Sequence, residues 1–235
     1  MGIAIDNIDV LKRQLLRLDN LEEGADKEKR LIGLDWPKEA ETMIGLRRME
    51  NLQYCVEEIL KNNIPGDLIE TGVWRGGACI FMRGILKEYG IANRKVFVAD
   101  SFKGFPNPKY DMDKCATFLN DSILSVSKEN VKSNFKKYGM LDEQVEFIEG
   151  YFSDTLPKIE GIFSLLRLDG DLYESTWDGL INLYPKLSVG GYIIVDDYWA
   201  VPMCKLAVDI YRLEFDIKDQ IFEIDGFGVY WKKEK

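Results

Sequence analysis

The chain has 235 residues, a length that fits one domain with a single core and some additional segments. Its 40 Asp and Glu residues outnumber 31 Lys and Arg, and the formal net charge of -9 argues against nucleic acid or an anionic membrane as the main partner. No stretch approaches the ~20 apolar residues of a membrane helix, and the amino terminus does not resemble a signal peptide, so we expect a cytoplasmic protein.

The amino-terminal quarter of the chain shows helical periodicity around an irregular centre. Apolar residues recur at steps of three and four in NIDVLKRQLLRL and again in MENLQYCVEEILKNN, which predicts two packed helices. The segment between them is interrupted by Gly33, Pro37 and Gly45, a pattern that indicates an irregular arm or lid. We therefore expect residues 1–64 to form an amino-terminal helical arm and lid, joined in one compact unit to the remainder.

From residue 65 onward, short apolar runs alternate with helical patterns. In chain order we predict a strand in DLIETG, a helix in GGACIFMRGILKEYG, a strand in KVFVADSF, a helix in SKENVKSNFKKYG, strands in QVEFIEGYF and IFSLLRLDGD, a helix in STWDGLINLYPKL, a strand in GGYIIVDDY and a helix in MCKLAVDIYRLEF. The last segment, QIFEIDGFGVYW, is typical of two strands around an Asp225-Gly226 turn. This alternation predicts an α/β fold over residues 65–235, with a doubly wound, Rossmann-like sheet that is mostly parallel and has an antiparallel edge hairpin.

Ligands of such sheets bind beyond the carboxyl ends of the strands, and the first strand ends in ETGVWRGG. Gly72, Gly76 and Gly77 allow a tight turn, and the next helix offers free N–H groups at its start. The spacing is neither the dinucleotide G-x-G-x-x-G nor a P-loop. The segment ETGVWRGG, with Glu70 in the last residues of the strand, instead resembles the first motif of class I S-adenosylmethionine-dependent methyltransferases.

Polar and aromatic residues at the next two strand ends suit the rest of such a cofactor. Asp100 ends the second strand, and its carboxylate is able to accept hydrogen bonds from both ribose hydroxyls. Alternatively, it caps the next turn with Ser101. Phe152 and Ser153 follow the third strand and offer an apolar face and a polar edge to an adenine, or they are a core Phe and a turn Ser.

Carboxylates end the two following strands, in LLRLDGDLYEST and GGYIIVDDYW. Asp169 and Asp196 are predicted to project into one crevice with Asp197 alongside, and their mutual repulsion calls for a positive charge. The chain has no histidine, and oxygen ligands without His or Cys favour a hard cation, Mg2+ before Ca2+ or Mn2+. The alternative is a set of solvated acids that cap helices. We expect Asp171 to support the cation ligands from behind or to cap a helix, and not to bind the cation itself.

Together these motifs resemble the macrocin O-methyltransferase family of class I S-adenosylmethionine-dependent sugar O-methyltransferases. The resemblance runs from about residue 31 to 205, through GLDWP, ETMIGLRRMENL, GDLIETGVWRGGACIFMRG, VFVADSFKGFP, GYFSDTLP, LLRLDGDLYESTWDGL and LSVGGYIIVDDY. It implies cofactor binding by the strand-end motifs, where we assign Glu70, Thr71, Gly72, Arg75, Gly77, Asp100, Ser101, Phe102, Phe152 and Ser153. It also implies Mg2+ ligation by Asp169, Asp196 and Asp197, with Asp169 as general base.

The resemblance further implies that LIGLDWPKEAETMIG forms a lid whose Trp36 and Met43 contact the acceptor, although Trp36 also suits a packing anchor. Asp111 and Asp113 lie in a second wall, where they either bind acceptor hydroxyls or belong to a solvated loop, and we favour the loop. The expected activity is Mg2+-dependent transfer of a methyl group from S-adenosyl-L-methionine to a sugar hydroxyl of a glycosylated natural product or glycan precursor. A catechol-like or other small hydroxylated acceptor, or a non-catalytic cofactor-binding scaffold, is the alternative. The resemblance also suggests a homodimer.

Overall fold

The computed structural model describes residues 7–235, so residues 1–6 of the predicted arm lie outside it. The helices in this range are α1 (Ile8–Leu15), α2 (Lys27–Ile32), α3 (Gly45–Lys61), α4 (Gly77–Glu88), α5 (Lys128–Lys137), α6 (Phe152–Thr155), α7 (Tyr173–Leu183) and α8 (Pro202–Glu214). The strands are β1 (Asp67–Thr71), β2 (Val96–Asp100), β3 (Val145–Glu149), β4 (Phe163–Leu168), β5 (Leu187–Val195), β6 (Phe222–Glu223) and β7 (Val229–Lys232).

The strands form one sheet in the order β3-β2-β1-β4-β5-β7-β6. Strands β1 to β5 are parallel, whereas β7 runs antiparallel to β5 and pairs with β6 as a hairpin. The chain moves outward from β1 to β3 and then returns to β4 beside β1, which creates a switch point between these strands. The predicted doubly wound sheet with an antiparallel edge is therefore confirmed.

Apolar side chains cover both faces of this sheet. One core cluster includes residues of α1, α3 and α4, and the other includes residues of α7, α8 and the buried Trp231 of β7. Strand β4 is buried along its whole length, because it is central and helices cover both of its faces. Within residues 7–235, no helix has the length and apolar character needed to cross a membrane.

The structure differs from the predicted elements in three places. The arm contains the short helix α2, which begins after Asp26, whose carboxylate accepts from two backbone N–H groups, and ends at Gly33 with φ +70°. Strand β3 stops at Glu149, and the Phe152 segment that we expected to extend it is helical. In the hairpin, the predicted two-residue turn is a loop over residues 224–228, because Asp225 Oδ1 accepts from the N–H groups of Phe227 and Gly228 at 3.1 Å each.

Candidate active site

A cavity of about 400 Å³ lies at the carboxyl ends of β1, β2, β4 and β5, beside the switch point. The arm covers one side of it, through residues that include Trp36, Met43 and Arg48. A second wall comes from the long connection after β2, including Phe105 and Phe118, whose ring centroids lie 5.4 Å apart. The volume and the mainly apolar walls suit a small-molecule site with a few polar groups.

The structure brings three of the predicted carboxylates together at the floor of this cavity. One oxygen from each of Asp169, Asp196 and Asp197 lies within 4.8 Å of the others. The adjacent strands produce this arrangement, because Asp169 N donates to Thr71 O at 2.9 Å and Asp196 N donates to Leu168 O at 3.0 Å. We call the carboxylates of Asp169, Asp171, Asp196 and Asp197 the acid cluster.

Two buried arginines supply part of the positive charge that the acid cluster requires, which the sequence analysis overlooked. Arg167, in β4, forms ion pairs with Glu70 and Asp196 and lies 2.6 Å from Asp169 Oδ2. Arg48, in α3, forms an ion pair with the other oxygen of Asp196. The assumption that a metal alone offsets the repulsion is therefore corrected.

Negative charge nevertheless remains in excess. Six carboxylates surround the two guanidinium groups, namely Glu70, Asp169, Asp171, Asp196, Asp197 and Asp225. Burial, reinforced by Asp169, raises the pKa of Asp171 to about 8, and burial raises the pKa of Glu70 to about 7 against the effect of Arg167. Burial followed by the charge of Asp171 also raises the pKa of Asp197 well above its usual range.

The chemistry of the acid cluster fits a divalent cation. Asp197 Oδ2 is buried and has no hydrogen-bond partner among residues 7–235, and such an oxygen is costly without a compensating ligand. Three carboxylate oxygens in mutual reach are a donor set that suits Mg2+, and the metal-ligating group found among residues 7–235 contains carboxylates alone. Both oxygens of Asp196 already accept from arginines, but each carboxylate oxygen has a second lone pair for a cation.

The turn after β1 packs against the backbone at the end of β4. Gly72 has φ +83°, and a Cβ atom at this position would collide with the carbonyl oxygen of Asp169. Only glycine allows this backbone to approach the end of β4 so closely. The same turn lines the cavity, so a ligand held by it is adjacent to the carboxylates.

Asp100 lines the cavity and also caps the backbone around it. Its carboxylate accepts from Val73 N at 2.8 Å and from Phe102 N at 2.7 Å. These bonds offset part of the burial that raises the pKa of Asp100. The capping role and ribose binding are compatible, because each carboxylate oxygen accepts more than one hydrogen bond.

The remaining residues assigned to the cofactor divide into two groups. Those that line the cavity are Glu70, Gly77, Ser101, Phe152 and Ser153. Within the part of the chain that the structure describes, Thr71, Arg75 and Phe102 do not line it. Thr71 and Phe102 are buried, and Arg75 donates to Pro37 O at 3.1 Å and Ala40 O at 2.9 Å. Arg75 therefore contacts the arm instead of the cavity, and the cofactor role of these three residues stays a prediction.

The arm is docked on the start of α4. Gly77 N donates to Glu41 O at 3.0 Å, and the Glu41 carboxylate accepts from Lys137 Nζ at 2.5 Å and Tyr138 Oη at 2.8 Å. A Cβ atom at Gly77 would collide with the Glu41 carbonyl. The arm covers the turn after β1, and both Met43 and Trp36 line the cavity, although Trp36 is 47% exposed.

The second wall is anchored by a carboxylate that we expected to lie in a solvated loop. Asp113 is fully buried and accepts from Tyr173 N at 2.7 Å and Glu174 N at 3.0 Å, which caps α7 from a distant segment. Asp111 is exposed. The cavity is also lined by Asp178. Burial, and then the charge of Glu174, raises the pKa of this carboxyl group to about 6. No local motif had indicated this residue.

Comparisons with known proteins point to one family. A family model described as Macrocin-O-methyltransferase (TylF) matches residues 7–233. The chain is 56% identical over 212 residues to demethyldecarbamoylnovobiocin O-methyltransferase of Streptomyces niveus, covering 88% of this chain and 81% of the relative. It is 49% identical over 214 residues to mycinamicin III 3''-O-methyltransferase of Micromonospora griseorubida, covering 88% and 84%. The solved structure of the O-methyltransferase NovP superposes with a TM-score of 0.93 at 51% identity, over 97% of this chain and 98% of that one.

Proposed function

We propose that this chain, a member of the macrocin O-methyltransferase family, methylates a sugar hydroxyl of a glycosylated natural product with the help of Mg2+. Its membership of the family makes it an S-adenosylmethionine-dependent O-methyltransferase. The relatives described above are named as O-methyltransferases of demethyldecarbamoylnovobiocin and of mycinamicin III. A cytoplasmic location and a homodimer remain expectations from the sequence.

The observation that carries the proposal is the contact between the cofactor turn and the backbone of Asp169, whose side chain belongs to the acid cluster. Because the Gly72 backbone packs against the Asp169 carbonyl, a methyl donor held at this turn would lie next to the three converging carboxylates. Oxygen nucleophiles require activation at neutral pH, and a carboxylate cluster with a bound cation supplies it.

The charge of the cavity favours a neutral acceptor over a sugar nucleotide. Among the described residues, the lining contains one Lys or Arg side chain, Arg48, which is already paired with Asp196 and Asp225. Carboxylates are much more numerous there, and a pyrophosphate group would be repelled by them. A sugar that is already attached to an uncharged aglycone avoids this repulsion.

We assign the chemical roles as follows. Asp169, Asp196 and Asp197 would hold Mg2+, which when bound supplies a positive charge that lowers the pKa of a nearby hydroxyl. The Asp169 carboxylate takes the hydroxyl proton as the methyl group is transferred, a contribution of about 10²- to 10⁴-fold for general-base catalysis.

The cofactor-side residues act by alignment. In this proposal the Gly72 turn orients the methionine part of the methyl donor, Asp100 accepts from the ribose hydroxyls, and Phe152 packs on the adenine. Holding the acceptor oxygen in line with the methyl carbon and the sulfonium sulfur removes much of the entropic cost of the reaction. The arm and the second wall exclude water from the same space.

An acceptor panel tests this function. The protein is incubated with S-adenosylmethionine, Mg2+ and either a neutral deoxysugar glycoside, a nucleotide sugar or a catechol, and methylated product is identified by mass spectrometry. We expect product from a glycoside and none from the nucleotide sugar. Asp197→Asn should lose activity, whereas Asp216→Asn, a matched change at an exposed carboxylate outside the cavity, should not.

Product from the catechol alone would replace the sugar acceptor with a catechol-like one. Cofactor binding without product from any acceptor, in folded protein, would favour a non-catalytic scaffold.

A further inference from the structure

Arg48 joins the acid cluster to Asp225, a carboxylate of the hairpin loop. Its Nη1 forms an ion pair with Asp196 Oδ2. Its Nε lies 2.9 Å from Asp225 Oδ2, an ion-pair contact that lacks hydrogen-bond geometry. The Arg48 side chain is 7% exposed and that of Asp225 is 6% exposed. Asp225 is in the loop of the β6–β7 hairpin, and among the described residues it is absent from the cavity lining.

The surroundings of Arg48 hold its guanidinium plane in place. Asp225 is itself fixed by two backbone hydrogen bonds of its loop, and the guanidinium carbon lies 5.5 Å from the centroid of the Phe227 ring. On the other side, a Cβ atom at Gly33 would collide with Arg48 Nη2, so the turn after α2 also packs against this side chain. The hairpin loop, α3 and the arm therefore meet at one guanidinium group.

We propose that Arg48 is a positioning residue for the cation site, and that Asp225 acts on the site through it. Asp225 orients the guanidinium group of Arg48. This group in turn holds the Asp196 carboxylate so that each of its oxygens would offer its remaining lone pair to the cation. A lysine keeps the charge but, unlike the planar guanidinium group, cannot place one nitrogen against each carboxylate from a fixed plane. The proposal rests on the proposed function, because it assumes that the acid cluster binds Mg2+.

Groups that orient metal ligands commonly change metal affinity or activity by about 10- to 100-fold when they are altered. Arg48→Lys should therefore weaken Mg2+ binding by about 10- to 100-fold. Asp225→Asn should weaken it by a smaller factor, up to about 10-fold, because the guanidinium group remains but loses one anchor. The double variant should bind no more weakly than Arg48→Lys alone, since both changes remove the same constraint.

The experiment is calorimetric titration of Mg2+ into protein saturated with S-adenosylhomocysteine, for wild type, both single variants and the double variant. S-adenosylhomocysteine affinity reports the folded cofactor pocket and should be unchanged in all four. The matched control is Arg83→Lys, which should leave Mg2+ affinity unchanged. Arg83 is a buried arginine away from the cavity, and its Nε and Nη2 donate to Oδ1 and Oδ2 of Asp142. In turnover assays, kcat should fall in the Arg48 variant while KM for the cofactor stays the same.

Wild-type Mg2+ affinity in Arg48→Lys would overturn the proposal while leaving the proposed function intact. Additive losses in the double variant would overturn the action of Asp225 through Arg48. If wild-type protein binds the cofactor product but no Mg2+, both this proposal and the Mg2+ dependence of the proposed function are wrong, whereas the methyltransferase assignment stands.

Discussion

Replacing Arg167 with Met should destabilise the protein strongly. The Arg167 side chain is 1% exposed and is paired with Glu70, Asp169 and Asp196, so Arg167→Met leaves three carboxylates without their shared cation. Removing one partner of a buried ion pair costs about 3–5 kcal/mol, because the remaining charge is uncompensated in a poorly solvated site. We expect a loss of this size in the free energy of unfolding at about pH 8, where the unfolded carboxylates are ionised.

The loss should shrink as the pH falls. The pKa of Glu70 is already raised to about 7, so the folded protein binds this proton more tightly than the unfolded chain does. A raised carboxylate pKa stabilises the folded state at low pH, and this contribution is lost as the pH rises through the folded value. Without Arg167 the pKa should rise further, so protonation at about pH 5 relieves part of the repulsion.

Urea unfolding of wild type and variant at the two pH values measures both effects. Lys95→Met is the matched control, because Lys95 is paired with Glu146 at the surface and its removal should cost only about 0–1 kcal/mol. A loss below about 1 kcal/mol for Arg167→Met at both pH values would refute the view that Arg167 holds the acid cluster together.

Three further predictions concern the turn, the second wall and the cation. Gly72→Ala should abolish S-adenosylhomocysteine binding in calorimetry, because Gly72 has φ +83° and an added Cβ atom would collide with the Asp169 carbonyl. Retained affinity would contradict the cofactor role assigned to this turn. Asp113→Ala should lower the free energy of unfolding by about 1–2 kcal/mol through loss of the α7 cap, and an unchanged urea midpoint would count against that role. Stabilisation by Mg2+, measured as a shift in Tm, should grow as the pH rises from about 6 to about 8. Burial and the charge of Asp171 raise the pKa of Asp197 well above its usual range, and this ligand must lose its proton when the cation binds. A shift independent of pH would argue against binding at the acid cluster.

The fold and the convergence of the acids could be predicted because both follow from local patterns. Apolar runs that alternate with helical periods define parallel strands, and the carboxyl ends of adjacent parallel strands meet at one edge. Asp169, Asp196 and Gly72 therefore occupy the same region, as their places at strand ends indicated. Arg167 was also detectable in principle, since a charge inside the apolar run LLRL of a central strand requires buried partners.

Other features depend on tertiary contacts that no local pattern records. Arg48 is one of two arginines in LRRME, and only the packing of α3 directs it to Asp196. Asp113 looks like a loop carboxylate until the second wall folds against α7. Arg75 lies within a motif typical of cofactor turns, yet its guanidinium contacts the carbonyls of Pro37 and Ala40 in the arm.

The most direct test of the account is the rate of methyl transfer to a glycoside acceptor as a function of Mg2+, after chelation of the purified protein. We predict that chelated protein binds S-adenosylmethionine but transfers methyl groups slowly, and that Mg2+ restores the rate in wild type and not in Asp197→Asn. Full activity in the presence of a chelator would contradict the assignment of the acid cluster to a cation and would leave the carboxylates to act on the hydroxyl alone.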